Sequence, residues 1–169
     1  MLKKTLKLLA VIAFAGLIAN NCYAKEPQHP RNFSVGDDYK TVTKDLKEII
    51  PIDTEFLKNP NLKIIVTQDI PVVLSQEIKS TLFYFYNNTL VKMQADFKSP
   101  NCKEEVLKIM DKVNTTFRKQ NPKKEKTELG EITVYAWTQP FIELTVTHTK
   151  LQSGKELLKL TSELKQEKK

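Results

Sequence analysis

The sequence predicts an α+β protein in which two amphipathic helices pack on one face of an antiparallel β-sheet. Three observations carry that expectation. Residues 37–50 and 99–117 repeat apolar side chains at helical spacing. Several short runs rich in β-branched and aromatic residues alternate apolar with polar positions. Turn signals, among them Asn87-Asn88 and Gln152-Ser153-Gly154, separate those runs.

The chain opens with Lys3, Lys4 and Lys7, then the apolar run Leu8 to Ile18, then a small-residue site ending at Ala24. This is the layout of a secretory signal peptide over residues 1–24, with an apolar core too short to span a bilayer. A rival reading makes Cys22 an acylated first residue and the protein lipid-anchored. Asn20 and Asn21 are bulkier than the residues that usually precede such a cysteine. Cleavage after Ala24 removes three lysines and no acids, which takes the formal net charge from +7 to +4. Acidic residues interleave with the remaining lysines, so no basic stripe for nucleic acid stands out. Cys102 alone survives cleavage, which excludes a disulfide framework in a compartment that would permit one. The expected location is periplasmic or secreted, with no transmembrane segment in the mature chain.

Residues 25–34, with two prolines and no periodicity, read as an extended leader, and 35–169 as one α+β domain. In the first helix, Asp37 to Ile50, one stripe holds Tyr39, Val42, Leu46 and Ile49; acids sit at the start and Pro51 stops it. "LKIIVT" and "PVVLS" follow as short strands. Asn87 and Asn88 tolerate positive φ and make a tight hairpin out of "FYFYNNTL". In a regular ladder Tyr84 then faces Val91 and Leu82 faces Met93. That register puts Leu82, Tyr84, Val91, Met93, Ala95 and Phe97 on the core face, and turns Phe83 and Phe85 outward, where they need a second covering layer or a partner.

The second helix, between Ser99 and Phe117, carries Cys102, Val106, Met110, Val113 and Phe117 on one stripe, with Pro122 beyond its end. "KKEKTE" reads as a solvated loop. "EITVYAW", "FIELTVTHT" and "LLKLTSEL" complete the sheet; the last alternates Leu158, Leu160, Ser162 and Leu164, although a helix also groups Leu157, Leu160 and Leu164.

No catalytic constellation is legible. Cys102 lies at a helix start, where a dipole lowers a thiol pKa, but its place on the apolar stripe favours a buried, inert cysteine. His148 continues the strand parity of Ile142, Leu144 and Val146, and His29 lies in the leader, so neither has a catalytic or metal-binding neighbourhood. Glu104-Glu105 and Asp37-Asp38 are helix-start charges. The Asn-x-Ser/Thr triplets at Asn32, Asn87 and Asn114 read as chance. No cofactor or metal is implied. Trp137 shares a strand face with Tyr135 and Thr133, and tryptophan and tyrosine dominate binding hot spots. The candidate binding residues are therefore Phe83, Phe85, Trp137 and Tyr135.

"SVGDDYKTVTKDL" opening a helix, the "FYFYNNTL" strand and turn, an amphipathic helix, and a Trp-containing strand followed by "IELTV" resemble, in element order, small exported bacterial α+β domains. These include the BamE-type outer-membrane assembly lipoproteins and the β-lactamase-inhibitor-like domains. The resemblance implies a protein-binding role and no catalytic residues. The expected function is an exported, non-catalytic module that binds another exported or envelope protein. Alternatives are a lipoprotein acylated at Cys22 or a small periplasmic enzyme.

Overall fold

The computed structural model describes residues 33–54, 58–70 and 72–165. The signal peptide, Cys22, His29 and leader residues 25–32 lie outside the described residues. Among the described residues there are ten strands: β1 (Ile50–Ile52), β2 (Leu62–Thr67), β3 (Val72–Val73), β4 (Gln76–Tyr86), β5 (Thr89–Phe97), β6 (Arg118–Lys119), β7 (Lys123–Thr127), β8 (Gly130–Thr138), β9 (Ile142–Leu151) and β10 (Glu156–Leu164). The α-helices among the described residues are α1 (Tyr39–Lys44) and α2 (Lys103–Val113).

This corrects the expected two-helix layer. Among the described residues the molecule is mostly one antiparallel sheet, α1 is six residues long, and only α2 with its preceding 3-10 turn Pro100–Cys102 is a substantial helix. Asp38 caps α1 as a helix start should, accepting from the Lys40 and Thr41 N–H groups at 2.8 and 3.1 Å. The helix stops well short of Ile50 because the Asp69 carboxylate takes the backbone N–H groups of Lys47 and Glu48, the latter at 2.9 Å. Those donors would otherwise continue the helical ladder. Ile50 is released to begin β1.

The sheet order is β1-β2-β4-β5-β10-β9-β8-β6, with β3 also on β4 and β7 also on β8. One meander runs from β1 to β5. The chain then passes through α2 to the far edge and returns through β8, β9 and β10, so that the last strand closes against β5 with Leu160 opposite Ala95. "LLKLTSEL" is a strand, and its Leu158, Leu160 and Ser162 are buried. "KKEKTE" is not a free loop: Lys123 to Thr127 pair with Val134 to Gly130 as a fully exposed edge strand. At the β7–β8 turn Gly130 has φ +149, and a Cβ there would stand 2.0 Å from the Lys150 carbonyl, so only glycine admits the close approach of β9.

The Asn87-Asn88 turn forms as expected, both residues at positive φ, with Tyr86 opposite Thr89. Beyond it a β-bulge at Val91 breaks the regular ladder: Phe85 pairs with Leu90, but Tyr84 pairs with Lys92 and Phe83 with Met93. The extra residue lets Leu90 and Met93 share one face, and it puts Phe83 and Phe85 there too. The expected face of β4 is therefore reversed. Phe83, Phe85 and Leu90 are fully buried, while Leu82 and Tyr84 lie on the opposite, partly exposed face.

The covering layer over those rings is the chain's own start. Phe33 meets Phe83 edge to face at 5.3 Å, and Tyr39 meets Phe85 at 5.0 Å. Backbone bonds from Gly36 N–H to the Leu90 carbonyl and from Tyr39 N–H to the Asn88 carbonyl hold this segment on the hairpin. Phe33 and Ser34, expected in the leader, are thus part of the core. Val106 and Met110 of α2 join the same core, and Asn114 ends that helix by donating its side-chain amide to the Met110 carbonyl at 2.9 Å.

Candidate interaction surface

The four residues singled out from the sequence do not form an exposed site. Phe83 and Phe85 are fully buried and Trp137 is 1% exposed, so a partner cannot reach any of the three without opening the core. Tyr135 packs against the same core and is half-buried. Trp137 is fixed from both sides: its indole N–H donates to Asp111 of α2 at 2.9 Å, and Lys119, which itself pairs with Asp111, stands over the ring. The tryptophan staples the helix to the edge of the sheet. Its anchoring role is structural.

The groups with chemical potential are likewise engaged. His148, 5% exposed, contacts Glu156 through Nε2 at 2.7 Å. That hydrogen bond is the main reason the Glu156 carboxyl is held below its ordinary value, with Lys150 adding to it. Cys102 is half-buried, and burial pushes its thiol above the ordinary value; the Sγ–H donates to the Ser99 carbonyl at 3.1 Å. Among the described residues, no three His, Cys, Asp or Glu side chains are grouped to hold a metal ion.

What the fold leaves open is the other face of the sheet. Alternation along each strand sends one set of side chains into the core and the other outward. The outward set falls into three zones across the sheet. On β2 and β4 it is apolar: Leu62, Ile64, Val66, Leu82 and Tyr84 are all partly exposed, and Ile50 of the paired β1 is 62% exposed. On β5 and β10 it is charged and internally matched, with Lys92 paired to Glu163 at 3.2 Å and poised over the Tyr84 ring. Burial, reinforced by Asp96 and Glu163, raises the Tyr84 hydroxyl above its ordinary pKa. On β8 and β9 the outward residues are Ile132, Val134, Ala136 and Thr138 beside Glu143, Thr145 and Thr147.

The signal for this face was present in the sequence. "KIIV" and "FYFY" are apolar at both parities, which a strand needs only when its second face is at least partly covered. The parity expected as core on β4, that of Leu82 and Tyr84, is the one that faces outward.

No protein-family model, no curated protein and no solved structure matches the chain. Among the described residues no helix is long and apolar enough to cross a membrane.

Proposed function

We propose that this chain is an exported, non-catalytic protein-binding module whose partner docks on the apolar zone formed by β1, β2 and β4. The observation that carries the reading is the cluster of Ile50, Ile52, Leu62, Ile64, Val66, Leu82 and Tyr84, none of them fully buried, on one side of a sheet whose opposite side is packed. Contiguous exposed apolar area of this kind marks interaction sites in folded domains. Export is supported by the Lys-led apolar run and the site at Ala24. The non-catalytic reading is supported by the burial of His148, 5% exposed, and by the raised pKa of the Cys102 thiol.

The test places a photo-crosslinking residue at Leu82 in one version and at Lys126, on the opposite edge, in another, in cells of the source organism. A discrete protein adduct from position 82 and none from position 126 is expected. Equal labelling from both, or none from either, rejects the assignment. Intact mass of the exported form checks the rest: a chain starting at Lys25 without lipid is expected, and a diacylated Cys22 would recast the protein as an anchored lipoprotein.

A further inference from the structure

The strand registers fix the dimensions of the docking zone. Its outward side chains stand in three rows across the sheet: Ile50, Val66 and Leu82, then Ile52, Ile64 and Tyr84, then Leu62 and Tyr86. Successive rows lie two residues apart along each strand, so the zone is about 14 Å long along the strands and about 10 Å wide across them. On one long side β5 sets Gln94 opposite Leu82 and Lys92 opposite Tyr84. On the other, β1 ends the sheet with Pro51 in the middle of the edge strand.

These dimensions decide which backbone can cover the zone. An extended segment laid on a sheet face would press its own N–H and C=O groups against apolar side chains, where they find no partner. Pairing with the sheet instead would need the β1 edge, and Pro51 removes a donor from it. A second sheet, whether of another protein or of a second copy of this chain, is wider than the zone and would cover the Lys92–Glu163 pair on β5 and β10 as well. The apolar area is also too small for a stable dimer: Ile50 is 62% and Tyr86 45% exposed, the other six are half-buried, and the whole is on the order of a few hundred Å², against about 800 Å² per partner in a standard interface. A single α-helix meets each condition. It satisfies its own backbone, is about 10 Å across with its side chains, and spans the length of the zone in about nine residues.

We propose that the partner seats one amphipathic α-helix of about three turns on this zone, aligned with the strands, with apolar residues at i, i+3, i+4 and i+7 set against the three rows. This names the occupant of the docking zone and rests on that reading. Ile50, Val66 and Leu82 receive one end of the helix, Ile52, Ile64 and Tyr84 its middle, and Leu62 and Tyr86 the other end. The small area makes the complex a transient one.

The experiment uses β2 as a ruler, because Val66, Ile64 and Leu62 place one outward side chain in each row. A photo-crosslinking residue goes at each of these positions in three separate versions of the full chain, expressed in cells of the source organism, and the attachment points on the partner are located by mass spectrometry. A helix rises about 1.5 Å per residue and an extended chain about 3.3 Å, so one row corresponds to about four residues of helix or about two of strand. The expected result is attachment within one segment of the partner, advancing by three or four residues from each version to the next. An advance of two residues identifies an extended partner and overturns the helix. Attachment scattered over separate segments, or an adduct of two copies of this chain, overturns it too, and in each of these cases the docking zone itself still stands. No adduct from any of the three positions, in chains that melt as the native chain does, removes the docking zone and the helix together.

Discussion

Phe85 and its neighbour Tyr84 show how much depends on a single inserted residue. Alternation was legible in "FYFYNNTL", as was the turn, but phase was not, because nothing in the sequence marks Val91 as the bulge that shifts the ladder. With the phase corrected, Phe85→Ala removes a fully buried ring in edge-to-face contact with Tyr39 and should destabilise by about 3–5 kcal/mol. Tyr84→Ala removes a half-buried ring that meets Lys92 and should cost only about 1–2 kcal/mol. Urea unfolding of the two variants checks the order, and a larger loss for Tyr84 would mean that the face is assigned wrongly. A second turn was missed altogether. Leu74 and Ser75 both have positive φ between β3 and β4, an arrangement that Asn or Gly would have announced. Leu74 is 2% exposed, so its burial offsets the backbone strain; Ser75 is exposed and has no such compensation. Ser75→Gly should therefore raise stability by about 1 kcal/mol, read as a higher urea midpoint at unchanged slope.

The helices and hairpins differ in how far their own sequences determine them. α2 was legible in its stripe and its Ser99 turn but not in its end, since Asn114 stops it after Val113, short of the expected Phe117, and Arg118–Lys119 is a strand; α1 carries a stripe as good but loses its second half to Asp69, a residue more than twenty positions away. Periodicity cannot report a competing acceptor. α2 is tied to β8 through the Trp137–Asp111 bond, which suggests a paired test: Asp111→Leu strands the indole N–H and should cost about 1 kcal/mol, while Asp111→Asn keeps an acceptor and should cost less. The β9–β10 hairpin offers a pH test. Because the folded Glu156 carboxyl lies below its ordinary value, the unfolded chain takes up this proton first as pH falls. The stabilisation is therefore present above the ordinary glutamate pKa of about 4.3 and disappears as pH drops through the lower folded value. The stability difference between the native chain and Glu156→Gln should hold steady from neutrality to about pH 5 and close below about pH 4. A difference that persists unchanged into strong acid would remove the His148–Glu156 contact from the account.

The sheet as a unit was legible in its strands but not in its closure, since pairing β10 with β5 is a contact between residues more than sixty positions apart that no local pattern encodes. Nor did the sequence reveal that "KKEKTE" is the sheet's edge, because a fully exposed strand has no apolar alternation to display. Its composition makes sense once its position is known. An open sheet must prevent its two end strands from pairing with other chains. At one end, Pro51 of β1, which pairs with Ile65, has no N–H to offer an incoming strand. At the other end, Lys123, Lys124 and Lys126 put like charges on β7, so that two copies approaching edge to edge repel. Lys124→Val with Lys126→Val leaves the folded contacts almost untouched, because both side chains are exposed, but removes that repulsion and adds β-branched residues to an unpaired edge. The double variant should keep the native circular dichroism spectrum and melting temperature at low concentration, yet form dimers and larger species as concentration rises, with salt strengthening association of the native chain more than of the variant. Sedimentation across a concentration series decides it: a variant that remains as monodisperse as the native chain would show that the lysines on β7 are not what keeps this edge unpaired.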